Sequence, residues 1–556
     1  HQNRRLPSAR RRSAADRPRW LHRRRRALTI TDTIATTTWL QERMTMNPTT
    51  VDAGAPLTPR DVVAVARLGA QVTVGEDAIE RVKRASDLVE SLADDPTPHY
   101  GISTGFGALA STRVPRDYRV ALQHSLIRSH AASTGPRVES EVIRAMMTLR
   151  LKTMASGHTG VRPKVVTAYA DLLNSGLVPV VGEYGSLGCS GDLAPLAHCA
   201  LVLTGEGTVL TPDGDEVDAA TGLAQAGLKP VSLREKEGLA LINGTDGMLS
   251  QLIMALADLD VLVPTADLAT AMTVQALCGI DRVFAPDLQA LRPHPGQATS
   301  AANILALLEG SDLIQAGREG AAKRVQDAYS LRCAPQVHGA VRDTMAHALQ
   351  VAKVELASAV DNPVITDDMR VESNGNFHGA PVAYVLDFLA IAAADLASMS
   401  ERRTDRMLDP ARNRDLHPFL ADDPGVDSGH MIAQYTQAGI VSDMKRLAVP
   451  ASVDSIPTSA MQEDHVSMGW SAARKLRRAI DGMGAVIGIE ILTAAKAIQM
   501  RGLEPSKLVA DVIERMRQTI PGPGPDRFLA PEIDEAHRLV ASGELLEVAR
   551  QSVEVS

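Results

Sequence analysis

From Leu239 onward the chain is a near-continuous series of Ala-, Leu- and Met-rich segments with apolar residues at helical spacing, around 247–279, 299–327, 339–360, 380–408, 430–447 and 466–500. Helices this long are roughly 30–45 Å rods whose wide apolar faces can be covered only by one another or by another subunit. That restricts the chain to a bundle of long parallel and antiparallel helices. An aromatic content of 3% favours helix over sheet as well. Upstream, Thr58-Pro59-Arg60-Asp61 signals a helix start, a second helix is predicted over roughly 77–92, and Asp94-Asp95-Pro96-Thr97-Pro98 breaks the chain. The Gly- and Asp-bearing segment Val202–Lys229 predicts a small hairpin turning at Pro212-Asp213-Gly214-Asp215. The expected class is therefore mainly α. A basic extension at 1–45 precedes a smaller N-terminal domain at 46–240, a central long-helix bundle at 241–500 and a C-terminal helical segment at 501–556.

Charge divides the chain in two. Residues 1–43 hold twelve arginines against three acids, a surplus of nine, which leaves −17 on the remainder of a chain of net charge −8. With Arg10–Arg12, Arg23–Arg26, Pro7 and Pro18, this stretch could be a nucleic-acid or membrane-surface arm, or an export signal. The reading adopted is a disordered extension translated ahead of a start at Met44 or Met46, so no nucleic-acid partner is expected. Four cysteines, Cys189, Cys199, Cys278 and Cys333, show no CxxC or metal-ligand spacing, which points to a reducing, cytoplasmic setting and no disulfide framework. Even the apolar run 386–397 is interrupted by Asp387 and Asp395, so no membrane span is expected.

The chemistry concentrates in Gly185-Ser186-Leu187-Gly188-Cys189-Ser190-Gly191-Asp192-Leu193-Ala194-Pro195-Leu196-Ala197-His198. Leu193, Leu196, Ala197, Ala200 and Leu201 have helical spacing, Pro195 fits a first turn, and Asp192 is expected to cap that helix. The tripeptide Cys189-Ser190-Gly191 then lies at a positive helix end. Gly191 lacks a Cβ, so its amide nitrogen can bend back onto the Cys189 carbonyl carbon. Ring closure with loss of water, followed by loss of the Ser190 hydroxyl as a second water, yields an imidazolone bearing an electrophilic methylidene. A bare Ser-Gly-Asp is also an ordinary capped turn. The full run, however, resembles the prosthetic-group signature of the aromatic amino acid ammonia-lyases, which build 4-methylidene-imidazole-5-one (MIO) at this position. The family's first residue is often Ala; Cys189 supplies the same carbonyl and adds a thiol.

The resemblance extends over residues 58–470 and assigns further residues. Tyr100-Gly101-Ile102-Ser103-Thr104-Gly105-Phe106-Gly107 is similar to the family's glycine-rich loop and makes Tyr100 a catalytic phenol. In Gln326-Asp327-Ala328-Tyr329-Ser330-Leu331-Arg332-Cys333 the resemblance implies Tyr329 as the base that removes the β-proton. Arg332 has the planar fork that grips a carboxylate, and Gln326 is a further substrate contact. Asn243, which before Gly244 would otherwise read as a turn residue, is implied near the substrate or the imidazolone oxygen. His130, following Ser129, and Glu463, in Met461-Gln462-Glu463-Asp464-His465, resemble the histidine-specific branch; a carboxylate and a neutral imidazole suit an imidazole side chain. Phe377, in Gly375-Asn376-Phe377-His378-Gly379, would stack near the ring or simply pack in the core. His198, His378 and His465 have no partner at ligand spacing, so no metal is expected. The run Val449–Thr458 is expected to border the site.

The resemblance thus implies non-oxidative deamination of L-histidine to trans-urocanate and ammonia, in a homotetramer whose active sites draw on several subunits. The alternatives are a lyase or aminomutase acting on tyrosine or phenylalanine, a helical lyase of the fumarase type without a prosthetic group, and a non-enzymatic helical scaffold.

Overall fold

The structure, a computed structural model, describes residues 48–99, 101–104, 114–319 and 325–551. Three long helices, Asp246–Ala276, Ala380–Leu408 and Gly469–Arg501, run side by side in the same direction. Their starts meet around Gly188 and Met248, and at the other end Arg501 Nε donates to the Ala276 carbonyl at 3.0 Å. Three helices of opposite direction fill the gaps between them: Ser140–Ala155, Ala334–Ala357 and Met431–Leu447. Arg150 meets Asp246, Thr245 donates to Glu355 at 3.3 Å, and Gln437 donates to the Val486 carbonyl at 2.8 Å, which sets these directions. Every residue of Asp246–Ala276 is buried except Asp258 and Val261, so this helix is the axis of the bundle.

One polar cross-link joins the three parallel helices inside the apolar core. The Glu490 carboxylate accepts Thr273 Oγ1 at 2.7 Å, Ser400 Oγ at 2.6 Å, and Arg403 Nε and Nη2 at 2.6 and 2.8 Å. Neither Arg403 nor Glu490 exposes any side-chain surface. Because both charges are paired and every carboxylate oxygen is satisfied, the desolvation cost is offset locally.

The N-terminal region packs a second apolar core from the helices between 59 and 242, and Trp470 of the bundle inserts into it, donating Nε1 to the Glu183 carbonyl at 2.7 Å. Thr58 and Asp61 close a capping box on Pro59–Arg67. The hairpin expected within 202–229 forms from Thr208–Leu210 and Glu216–Asp218, with Val178–Pro179 added alongside. A parallel pair, Thr50–Asp52 with Gln71–Thr73, was not anticipated.

The expected helix 299–327 is not continuous. It is Pro295–Leu307 and Asp312–Glu319, parted at Gly310, whose φ of +76° belongs to the left-handed region and ends the first helix; residues 325–328 are not helical. Ala380–Leu408 and Gly469–Arg501 are long and apolar enough to cross a bilayer by length and composition, yet 61% and 83% of their apolar windows are buried against other helices. Replacing Arg403 with alanine strands a buried carboxylate, and we expect a loss of about 3–5 kcal/mol, read as a lower urea midpoint with unchanged m-value.

Candidate active site

The Cys189-Ser190-Gly191 turn sits where the three parallel helices begin. The Gly188 carbonyl accepts Ser467 Oγ at 3.0 Å and the Gly379 amide at 3.5 Å; the Leu187 carbonyl accepts the Met468 amide at 2.9 Å; and the Gly244 carbonyl accepts the Asp192 amide at 2.7 Å. Residues 379, 468 and 244–245 directly precede the three helices, so three positive helix ends converge on the tripeptide, and Leu193–Leu203 adds a fourth. Negative charge developing here is stabilised by fixed dipoles.

Asp192 does occupy the cap position of Leu193–Leu203, but its side chain makes no cap there, contrary to expectation. Oδ1 accepts Ser186 Oγ and Oδ2 accepts the Met248 amide, both at 2.8 Å. The carboxyl therefore caps the neighbouring helix Asp246–Ala276 and ties the loop to it. Burial pushes its pKa up to about 7, outweighing the hydrogen bonds that favour the charged form. Gly191 has φ +82°, and a Cβ on it would overlap the Gly244 carbonyl, so only glycine fits. The Gly191 amide therefore lies where no side chain of its own obstructs it.

Ser190 Oγ donates to Glu463 Oε1 at 3.1 Å. The other oxygen, Oε2, accepts Thr458 Oγ1 at 3.1 Å, and the Thr458 and Glu463 backbones exchange hydrogen bonds at 3.0 and 3.2 Å. Between them Ser459, Ala460 and Met461 all have positive φ, a backbone cost accepted to aim this carboxylate. The Cys189 thiol also lies against Glu463; burial first, then that carboxylate, pushes its pKa up to about 12, so it stays a neutral thiol beside Ser190. His130 Nδ1 is 2.9 Å from the Leu126 carbonyl, which can only accept, so Nδ1 carries the proton and Nε2 is a bare acceptor. Burial lowers the His130 pKa and so favours the neutral ring, opposed in part by the hydrogen bond to Leu126 and then by Glu463.

Asn243 ends the helix Glu237–Ile242 and donates Nδ2 to the Asn362 carbonyl at 3.1 Å, while its buried Oδ1 has no partner. Arg150, fully buried, holds this turn through the Ala240 and Asn243 carbonyls at 3.0 Å and Asp246 at 2.5 Å. Phe377 is half-buried two residues before Gly379, which its turn brings to Gly188. His378 and His465 stack at 5.7 Å, and His198 accepts the Ser133 amide, so all three have structural partners. Among the described residues no group of three His, Cys, Asp or Glu side chains could hold a metal.

The second expected group lies elsewhere in the chain. The Arg332 guanidinium sits 4.6 Å from the Tyr329 ring centroid and donates Nε to the Asp327 carbonyl; Asp327 in turn accepts the Ile280 amide at 2.7 Å. Ile280 follows the C-terminal end of Asp246–Ala276, whereas Met248, at its N-terminal end, meets Asp192. About 40 Å of helix separates Tyr329 and Arg332 from Ser190. Tyr329 is 70% exposed and Gln326 is exposed. Tyr100 lies outside the described residues. Of the run 449–458 expected to border the site, Thr458 reaches Glu463; Arg150 and Ser467 were not singled out in the sequence, although Arg150 carries a signal, a charge inside the mostly apolar run Met146–Leu151.

Fold and site together define a helical-bundle enzyme whose polar head is built on a Ser-Gly turn. Residues 57–518 match the aromatic amino acid lyase family model; the chain belongs to that family and is a carbon–nitrogen lyase. It is 61% identical to a histidine ammonia-lyase of Streptomyces avermitilis, across 90% of this chain and 98% of that one, and 47% identical to one of Deinococcus radiodurans across 88% and 93%. Among solved structures, the histidine ammonia-lyase of Trypanosoma cruzi superposes with TM-score 0.83 at 36% identity, covering 90% of this chain and 95% of that one. A tyrosine aminomutase of Streptomyces globisporus superposes with TM-score 0.84 at 37% identity, covering 90% and 98%. The shared fold therefore does not choose the substrate.

Asp192→Asn removes a group whose folded pKa is raised, so its stabilising share is present below about pH 4 and lost as pH rises through about 7. We expect the unfolding free energy of the wild type, relative to that of D192N, to fall by more than about 1 kcal/mol between those limits in urea titrations.

Proposed function

We propose that the chain is a histidine ammonia-lyase, converting L-histidine to trans-urocanate and ammonia as the opening step of histidine degradation in the cytoplasm. The observation that carries this reading is Glu463, which accepts the Ser190 hydroxyl and is close enough for its charge to act on His130. His130 Nε2 and the Glu463 carboxylate offer two acceptors, a pattern that a protonated imidazole ring with two N–H donors satisfies and a phenyl ring leaves unpaired.

The residues of the turn fit the formation of MIO from Cys189, Ser190 and Gly191: Gly191 has the required freedom, the Cys189 thiol is held neutral, and the unpartnered Asn243 Oδ1 is free to take a donor. That group, once formed, supplies an electrophilic methylidene that makes the substrate amine a competent leaving group. Glu463 and His130 orient the imidazole ring, Phe377 packs beside it, Arg332 binds the carboxylate with Gln326 as a further contact, Tyr329 removes the β-proton, and Asn243 and Tyr100 position the amine end. No step in this scheme calls for a metal.

Since Tyr329 and Arg332 lie about 40 Å from Ser190 in one chain, the active site is composite, with these residues arriving from another subunit. The exposed residues Tyr384, Phe388 and Ile391, spaced by a turn along Ala380–Leu408, and Ile432 and Tyr435 on Met431–Leu447 are apolar faces that a homotetramer covers.

Incubation with L-histidine is expected to raise the near-ultraviolet absorbance of a conjugated imidazolyl acrylate, with no comparable rise from L-tyrosine or L-phenylalanine. A product from tyrosine or phenylalanine alone would contradict the substrate assignment. His130→Ala, which leaves a substrate N–H unpaired, should lower kcat/KM for histidine by about 10²-fold.

A further inference from the structure

Glu463 touches the hydroxyl that must be lost before the site can work. We propose that Glu463 is the catalytic acid for the dehydration of Ser190, a role earlier in the protein's life than, and separate from, its contact with substrate; this rests on the reading that Cys189-Ser190-Gly191 matures to MIO.

The geometry is that of a proton path to a leaving group. Glu463 Oε1 is 3.1 Å from Ser190 Oγ, within hydrogen-bond reach, and the second oxygen is anchored by Thr458 Oγ1 at the same distance. The paired Thr458–Glu463 backbones and the three left-handed residues between them fix the carboxyl before any substrate arrives. Of the polar side chains surrounding Ser190, Asp192 spends both oxygens on Ser186 and Met248, and Asn243 donates to Asn362. Glu463 acts on His130 through its charge, and Cys189 Sγ lies against it. Among the described residues, Glu463 is the side chain that accepts the Ser190 hydroxyl.

The step balances as follows. In ring closure a bond forms between the Gly191 nitrogen and the Cys189 carbonyl carbon, and the carbonyl oxygen departs as the first water with the Gly191 and Ser190 amide hydrogens, leaving a C=N bond to the Ser190 nitrogen. The Ser190 Cα–H, now flanked by the ring's C=N and C=O, gives its proton to solvent. The electron pair left on Cα forms the Cα=Cβ bond as Cβ–Oγ breaks, and Glu463, having taken a proton from solvent, delivers it to Oγ, which leaves as the second water. The carboxylate is thereby restored as the acceptor it is in the structure, so no oxidant or reductant is needed and Glu463 is unchanged.

Mass spectrometry of the Ser190-containing peptide from the full-length protein separates the possibilities without reference to turnover. The wild-type peptide is expected to be two waters lighter than its sequence mass. If it retains both, the maturation reading itself fails, and this inference with it. In Glu463→Gln, which keeps the size and a hydrogen bond to Ser190 but not the acid, the second water should be lost about 10²-fold more slowly, so that the peptide one water light accumulates. Glu463→Asp should restore part of the dehydration. An E463Q peptide two waters light at the wild-type rate would overturn the proposal and leave Glu463 a substrate contact only. Should E463Q lack native helix content by circular dichroism, Thr458→Val carries the decision, since it removes only the hydroxyl that holds Oε2. Slowed loss of the second water is then expected, and loss at the wild-type rate would overturn the proposal.

Discussion

The Asp192 carboxyl group accepts the Ser186 hydroxyl through one oxygen and an early amide of the Asp246–Ala276 helix through the other, so the reactive turn and the bundle's central helix are cross-linked at the point where both begin. The backbone bond from the Asp192 amide to the Gly244 carbonyl runs beside it, and Gly191 is pressed so close to Gly244 that no side chain fits. Buried Arg150 holds the opposite side of the Asn243–Asp246 turn. The tripeptide is therefore clamped by groups that were folded into the core, and its conformation is supported from both sides.

Setting three long helices parallel, with their positive ends together, is unfavourable by itself because like dipole ends repel. The antiparallel helices Ser140–Ala155, Ala334–Ala357 and Met431–Leu447 relieve this along the bundle, and the Glu490–Arg403 cross-link holds the far end in register. At the near end the positive potential remains, directed at Ser190. Negative charge arriving there is stabilised by that placement, and the apolar packing of the rods supplies the energy that holds it.

Much of this was legible in the sequence. Rod-like segments with helical spacing could hardly pack otherwise, and five of the six anticipated long helices form within a few residues of their expected limits. The sixth failed at Gly310, where a glycine inside a periodic run ended a helix by turning left-handed. Asp192 was legible as a cap but not as the cap of a different helix, since that depends on which elements meet in space. The Thr50–Asp52 and Gln71–Thr73 strands are too short to show a period. Ser190, Glu463, His130 and Asn243, spread over more than 300 residues, are gathered by the convergence of helix ends, which local spacing does not encode. The distance from Ser190 to Tyr329 is likewise a property of one long buried helix, and the proposed composite site rests on it.

The central claim, a site assembled from the Ser190 loop of one subunit and the Tyr329–Arg332 pair of another, is tested most directly by subunit complementation. Ser190→Ala and Tyr329→Phe proteins, each inactive alone, are co-expressed and assayed with L-histidine. Random mixing in a tetramer with composite sites leaves about a quarter of the sites with both native residues, and activity should return to roughly that fraction. Hybrids that assemble in mixed composition and stay inactive would show that Ser190 and Tyr329 act within one chain, contradicting the account.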